Sequence, residues 1–358
     1  MGAPTRDGGG AAARDPGVVA VVSDRVAVIG AGSWGTAVAA LLAPKADVML
    51  WAREPSLAEQ INGDHENPRY LPGIALPDPL RAVGDLRRAC EHGAVVVLAV
   101  PSHGLRAVLA DAGPAVDRDA PVVSLAKGVE QGSLLRMTQV AAETLPGHRP
   151  DHIGVLTGPN LAREVAEGQP TASVVAMDDA DAAASLQQLF MTTTFRVYTN
   201  PDVVGCEIAG ALKNVIAIAA GIAAGLGYGD NTKAALITRG LAELARLGVA
   251  LGGEPLTFSG LAGMGDLVAT CTSPKSRNRH VGVELGRGRS LDDIVSETQM
   301  VAEGVKSTAA VLELAAQHGV EMPIAAMVGA VLYEGHRPGD LVPALMLREA
   351  KAELHGIR

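Results

Sequence analysis

Val26-Ala27-Val28-Ile29-Gly30-Ala31-Gly32-Ser33-Trp34-Gly35 is the stretch that decides the fold. A short apolar run that stops at glycine reads as a buried strand, and the Ala-rich segment from Thr36 to Leu42 behind it reads as a helix. G-x-G-x-x-G alone is weak, because glycine-rich turns are common. Here it follows a strand, opens a helix and begins a βαβ unit, which is the context of a dinucleotide-binding turn. Gly30 allows the tight turn, Gly32 lets a pyrophosphate approach the backbone, and Gly35 lets helix and strand pack closely. The amides at the helix N-terminus then face the phosphates. A plain structural turn is the competing reading.

Working outward, a second strand is expected at Val48 to Trp51. Further strand-like runs are Val95 to Val100, Val122 to Leu125, Ile153 to Leu156, Ala172 to Ala176 and Phe195 to Tyr198, with helical segments between most of them. That alternation implies an α/β, Rossmann-type, mostly parallel, doubly wound sheet. After Asn200-Pro201 the pattern turns to long Ala/Leu/Gly-rich helical stretches. Three parts are therefore expected: a disordered extension over 1–24, a dinucleotide-binding domain over 25–200, and an all-helical substrate and catalytic domain over 201–358. In the extension, Val18 to Val22 is too brief an apolar run for a signal-peptide core.

The end of the second strand bears on the choice of dinucleotide. NAD sites usually place Asp or Glu there to hold the ribose 2′-hydroxyl. This chain reads Leu50-Trp51-Ala52-Arg53-Glu54, so a cation comes first. Arg53 suits a 2′-phosphate and stacks on adenine. NADP(H) is preferred, and the neighbouring Glu54 leaves NAD(H) open, as does a simply solvated Arg53.

Across the 358 residues, 30 Lys+Arg stand against 39 Asp+Glu, for a formal charge of −9. With 48% apolar and 19% charged residues, the composition is that of a well-buried globular protein and excludes a disordered one. An acidic balance argues against nucleic acid as a partner. Cys90, Cys206 and Cys271 are odd in number and far apart, with no C-x-x-C and no His pair at ligand spacing. Neither a disulfide framework nor a metal site is indicated, which favours a reducing, cytoplasmic setting. Ile208 to Leu226 is apolar and close to the ~20 residues that cross a bilayer. It carries Lys213-Asn214 and few large side chains, so a buried helix is the better reading than membrane insertion.

Lys213 is the most informative residue. It stands inside that apolar helix, with Ala209, Gly210 and Ala217 on the same face leaving room for a small ligand. Burying an ammonium is costly unless it has a partner or a task, and desolvation lowers its pKa toward the range useful for proton transfer. The alternative is a lysine snorkelling to a helix edge. Lys127, in Ser124-Leu125-Ala126-Lys127-Gly128, lies past a strand's carboxyl end, where ligands of such sheets bind. Ser276-Arg277-Asn278 falls in a polar break from Thr272 to His280 and suits a phosphate monoester, since guanidinium engages two oxygens at once. A solvated basic loop is the other reading. Upstream, Gly260 to Asp266 is a glycine-rich turn whose terminal carboxylate is a natural partner for a catalytic lysine.

These residues carry a family resemblance. Gly30-Ala-Gly-Ser-Trp-Gly-Thr, Val100-Pro-Ser-His103, Ala126-Lys-Gly128, Gly158-Pro-Asn-Leu-Ala162, Gly210-Ala-Leu-Lys-Asn214, Ser276-Arg-Asn278 and Val301-Ala-Glu-Gly304 occur in that order. From Val26 to about Leu354 the chain resembles the NAD(P)-dependent glycerol-3-phosphate dehydrogenases of the bacterial biosynthetic type; the extension before Val26 lies outside the family pattern. The resemblance implies reversible reduction of dihydroxyacetone phosphate to sn-glycerol 3-phosphate, supplying glycerophospholipid synthesis. Lys213 would be the proton donor or acceptor at the C2 oxygen. Lys127, Gly158, Asn160, Asp266, Ser276, Arg277 and Asn278 would line the substrate beside it. Ser33, Trp34, Arg53, Lys127, Ala162, Arg277, Val301 and Glu303 would meet the cofactor along with Gly30, Gly32 and Gly35. Asn160 stands where many bacterial members carry serine and the eukaryotic form carries asparagine.

The chemistry agrees: an ammonium within reach of the carbonyl oxygen stabilises its developing charge and then supplies the proton. His103 follows a strand and is read either as near nicotinamide or as structural, while Trp51 and Cys206 read as core. The runner-up is a related reductase of a carboxylate substrate, of β-hydroxyacid or ketopantoate type, which would need no phosphate clamp. A redox-sensing NADP(H)-binding protein without catalysis is a third, and Lys213 argues against it. A small phosphorylated molecule is the expected partner, and a homodimer is compatible with the reading.

Overall fold

Strand β1 (Arg25–Ile29) lies in the interior of the sheet, and Val26 to Ile29 are at most 1% exposed. Such continuous burial is what an apolar run covered on both faces requires. The computed structural model describes residues 24–297, 302–350 and 352–353. Around β1 run β2 (Asp47–Trp51), a two-stranded hairpin of β3 (Glu66–Asn67) and β4 (Leu71–Ala75), then β5 (Arg81–Val83), β6 (Val95–Leu98), β7 (Val122–Ser124), β8 (Ile153–Thr157), β9 (Thr171–Ala176) and β10 (Phe195–Asn200). The main sheet has the order β10-β9-β8-β7-β6-β1-β2-β5. Val26 is level with Val48 on one side and Val95 on the other.

All seven strands expected from the sequence are present. The structure adds β5 and the β3–β4 hairpin: β3 and β5 are too short to show a period, and β4 is interrupted by Pro72-Gly73. It also turns β9 antiparallel to β8, so β9 and β10 run against the other strands and Thr171 to Ser173 lie at the edge where β8 ends. Helix α1 (Ser33–Leu42) follows β1 and α2 (Pro55–Asp64) follows β2.

The helical half is built on α3 (Val203–Gly225). Asp202 caps it by accepting the Gly205 N–H at 2.7 Å, and its other oxygen takes the Glu254 N–H at 2.8 Å. Among the described residues α3 is the one helix long and apolar enough to cross a membrane, and 89% of its apolar window is buried inside the protein. Around it pack α4 (Asp230–Ala250), α5 (Asp266–Thr272), α6 (Arg277–Gly286), α7 (Glu303–Gln317) and α8 (Pro323–Tyr333).

Glycines set the α3–α6 contact. A Cβ on Gly221 would lie 2.2 Å from the Arg279 carbonyl oxygen, and one on Gly282 would lie 2.1 Å from that of Ile218. Gly225 and Gly286 repeat the contact one turn on. Two backbones therefore touch, as in small-xxx-small helix pairs. A second tie joins α3 to the sheet half. Buried Glu207 accepts from Arg136 Nη1 at 2.8 Å, the Thr138 N–H at 2.8 Å and the Thr138 hydroxyl at 2.7 Å.

Two expectations of local structure need correction. Gly260 to Gly265 is no open turn: Leu261–Gly265 winds as a π-helical turn that runs into α5, so Asp266 opens a helix. The polar break after Thr272 is also shorter than expected, because Ser276 caps α6 and Arg277 begins it.

Candidate functional site

At the glycine loop, Gly30 has φ +122°, and a Cβ there would meet the Ala99 carbonyl oxygen at 2.7 Å. A Cβ on Gly35 would lie 2.0 Å from the Gly30 carbonyl oxygen, so helix and strand approach as the motif requires. Gly32 differs from both, since its Cβ would meet nothing within 4 Å. It faces open space and gives α1 no side-chain cap. The first helical bond runs from the Thr36 N–H to the Gly32 carbonyl, which leaves the Trp34 and Gly35 amides without an intrahelical acceptor. This is the cradle that a diphosphate fits. Trp34 packs its ring on Phe195, with centroids 6.4 Å apart.

Beyond the end of β2, Arg53 is exposed and has no ion pair among the described residues. Glu54 is taken up by Arg69, whose Nη1 donates to both carboxylate oxygens at 2.7 and 2.6 Å. Burial, with the Lys306 and Arg53 charges nearby, draws the His103 imidazole below its ordinary range, which puts His103 on this cationic side.

The lysines meet across the two halves of the molecule. Asp266 is 2% exposed and takes Lys127 Nζ on one oxygen at 2.7 Å and Lys213 Nζ on the other. Lys127 also donates to the Gly158 carbonyl at 3.1 Å and to Asn160 Oδ1 at 2.7 Å. Lys213 donates further to the Thr270 hydroxyl at 2.9 Å, and that hydroxyl bonds back to the Asp266 carbonyl at 2.6 Å. Lys213 is only 5% exposed, so it does not snorkel. Burial draws its ammonium down to about 7, against the pull of Asp266 and with help from the Lys127 charge. Burial pushes the Asp266 carboxyl up, but Lys127 and Lys213 outweigh it and hold it below the usual range.

The sequence predicts room for a small ligand over Gly210, but that space is filled by protein. A Cβ there would meet Thr157 Oγ1 at 3.2 Å and Lys127 Cγ at 3.5 Å, so the glycine admits the stem of Lys127. Gly158, at φ +131°, turns the chain after β8 so that its carbonyl reaches Lys127.

Within Ser276-Arg277-Asn278 the three side chains divide their tasks. Ser276 Oγ accepts the Arg279 N–H at 3.3 Å as the cap of α6. Asn278 donates to Asn214 Oδ1 at 2.9 Å and accepts the Gly304 N–H at 2.9 Å. Asn214 in turn donates to the Lys127 carbonyl at 3.1 Å. Arg277 alone is exposed, with no ion pair among the described residues. Glu303 is pushed up by burial while the Arg277 charge draws it back, and its Oε1 accepts the Ser102 N–H at 3.4 Å.

The structure thus brings Lys127, Gly158, Asn160, Lys213 and Asp266 into one cluster, with Arg277 and Glu303 beside it. Ala162 opens the short helix Ala162–Ala166, and Val301 lies outside the described residues. Sequence reasoning missed Thr270, Asn214 in its bridging role, and Asn67. Thr270 carried a signal, since it follows Asp266 by one helical turn on the same face. Trp51 and Cys206 are buried, as expected of core.

Comparison with known proteins gives a consistent picture. Residues 25–183 match the family described as NAD-dependent glycerol-3-phosphate dehydrogenase N-terminus, and residues 202–343 match its C-terminus counterpart. A curated NAD(P)+ glycerol-3-phosphate dehydrogenase of Sphingopyxis alaskensis is 53% identical over 331 residues, covering 92% of this chain and 98% of that protein. One from Thermobifida fusca is 53% identical over 336 residues, covering 93% and 99%. The crystal structure of a glycerol-3-phosphate dehydrogenase from Coxiella burnetii superposes with a TM-score of 0.85 at 39% identity, covering 90% of this chain and 98% of that one.

Proposed function

The chain belongs to the NAD-dependent glycerol-3-phosphate dehydrogenase family, and from that premise we propose that it reduces dihydroxyacetone phosphate reversibly to sn-glycerol 3-phosphate, with Lys213 moving the proton. The observation that carries this reading is a buried lysine held by Asp266 and Thr270 at the junction of the two halves. The carboxylate-substrate alternative has no comparable support, because the family match spans both halves and the relatives quoted are all glycerol-3-phosphate dehydrogenases.

Nicotinamide supplies the hydride when bound; the residues orient, neutralise and move the proton. In this reading the C2 carbonyl oxygen of the substrate lies within hydrogen-bonding distance of Lys213 Nζ. As that oxygen gains negative charge, the ammonium stabilises it and then gives up its proton. Asp266 holds the lysine in place, and burial makes it acidic enough to release that proton near neutrality. In the oxidising direction the neutral amine takes the proton from the C2 hydroxyl. Lys127, fixed by Asn160 and Gly158, adds a second cation over the substrate. Arg277, which has no ion pair among the described residues, is the donor for the phosphate, while Ser276 and Asn278 hold the helix that carries it.

For the cofactor we prefer NADP(H). Arg53 has no ion pair among the described residues, while Glu54, the group that would hold a 2′-hydroxyl, is neutralised by Arg69. A division of labour near residue 200, with cofactor on the sheet half and substrate on the helical half, fits the same reading. So does a reducing, cytoplasmic setting, since all three cysteines are buried and unpaired.

The test is NADPH oxidation followed by absorbance with dihydroxyacetone phosphate, with NADH in parallel. Lys213→Ala should lower kcat by about 10²–10⁴, the loss of a positioned proton donor, with cofactor affinity little changed. Turnover above a tenth of wild type would remove Lys213 from the role. Arg53→Ala should weaken NADPH more than NADH, and equal losses would withdraw the 2′-phosphate contact.

A further inference from the structure

Asn67, in β3, is wholly buried, and among the described residues its side-chain hydrogen bonds run to the dinucleotide turn, to the start of α1 and to its own hairpin. Its Nδ2 donates to the Ala31 carbonyl at 2.9 Å and to the Thr36 hydroxyl at 2.8 Å. Its Oδ1 accepts the Tyr70 N–H at 3.1 Å, which fixes the amide's orientation. From the other side, Ser33 Oγ donates to the Tyr70 carbonyl at 2.6 Å. The hairpin therefore grips the turn at Ala31, Ser33 and Thr36. Ala31 is the residue between Gly30 and Gly32.

We propose that Asn67 is a positioning residue for the cofactor: by holding the Ala31 carbonyl it aims the Gly32 N–H at the diphosphate. The reasoning is peptide geometry. In a trans peptide the C=O and the following N–H point in opposite directions. Pinning the Ala31 oxygen against Asn67 points the Gly32 N–H away from Asn67, and a Cβ on Gly32 would meet nothing within 4 Å, so there is room at this residue for a ligand. Without that bond the peptide is free to rotate, and a carbonyl oxygen turned outward would repel phosphate. Asn67 touches no ligand in this arrangement, because both ends of its amide are occupied by protein. It acts through Ala31. The proposal rests on the turn being the cofactor's seat, so the experiment must test both.

The full chain is compared as wild type, Asn67→Ala, Asn67→Asp, Thr36→Val and Gly32→Asp, by steady-state kinetics and by direct titration with NADPH. Asn67→Ala should raise the Kd and KM for NADPH by about tenfold or more, the scale of one lost hydrogen bond. The aspartate, which cannot donate and adds negative charge, should raise them further. The kcat at saturating NADPH and the KM for dihydroxyacetone phosphate should stay within about threefold. Thr36→Val keeps the Ala31 bond, so it should lower the melting temperature and leave NADPH affinity alone. A folded Asn67→Ala with NADPH affinity within twofold of wild type, while Gly32→Asp loses binding, would overturn the proposal and keep the turn as the cofactor's seat. If Gly32→Asp binds NADPH normally, the seat itself is misassigned. If neither Asn67 variant folds, the residue braces the fold and the proposal is equally overturned.

Discussion

Lys213 sits between opposing influences, and their balance sets the direction of its chemistry. Burial favours the neutral amine, Asp266 favours the ammonium, and the Lys127 charge sides with burial, leaving the group near 7 instead of its ordinary 10.5. The sign of the pH dependence follows. If Lys213 moves the proton as proposed, reduction needs it protonated, so kcat/KM for dihydroxyacetone phosphate should fall as pH rises through about 7. Oxidation of glycerol 3-phosphate needs the proton absent and should rise over the same interval. Initial rates in both directions across that range check this, and parallel profiles would contradict it. Lys213 was legible in the sequence because one charge in an apolar helix demands a reason. Asn67 was not, because a lone asparagine between polar residues looks like any turn. Only the three-dimensional return of the hairpin onto Ala31 gives it a role. Ser276 and Asn278 were expected to line the substrate; the geometry shows their side chains capping α6 and bonding Asn214, while Arg277 has no ion pair among the described residues.

The helices α3 and α6 owe their spacing to glycine at positions four apart on each, Gly221 and Gly225 against Gly282 and Gly286. That pattern was present in the sequence, but glycine in a helix reads first as a weak spot, costing about 1 kcal/mol against alanine. What compensates is contact between backbones, visible only once both helices are in place. The contact matters for the site because α6 begins at Arg277, and α3 carries Lys213 and Asn214. Gly282→Ala would put a methyl 2.1 Å from the Ile218 carbonyl oxygen, which is backbone and cannot swing aside. The helices must part, at a cost of about 1–3 kcal/mol or more, as for other overpacked cores. The melting temperature should drop, and the KM for dihydroxyacetone phosphate should rise more than that for NADPH, because Arg277 moves. Equal shifts in both constants would mean that α6 does not carry the phosphate contact.

At the scale of the whole molecule, the order of strand and helix in the sequence was enough to assign the sheet, since parallel pairing with crossovers follows from alternation. The reversal of β9 and β10 was not readable, because an apolar run carries no direction. How the halves join was equally silent, as it rests on single buried polar residues such as Glu207. Glu207→Ala would leave the buried Thr138 amide without its acceptor and the partly buried Arg136 without its carboxylate. Breaking a buried pair from one side costs about 3–5 kcal/mol. The expected result is a lower melting temperature and, by calorimetry, separation of one unfolding transition into two; a single transition at the wild-type temperature would show the tie to be unimportant. The bond between Lys127 and Asp266 spans 139 residues of chain. At roughly 5–20 residues per second of synthesis, Asp266 is added about 7–30 s after Lys127. During that interval the nascent chain holds the residues of a dinucleotide turn but lacks the carboxylate that organises the lysines. A chain that stops short of Asp266 therefore cannot join the two lysines to one carboxylate, and the cluster forms only late in translation.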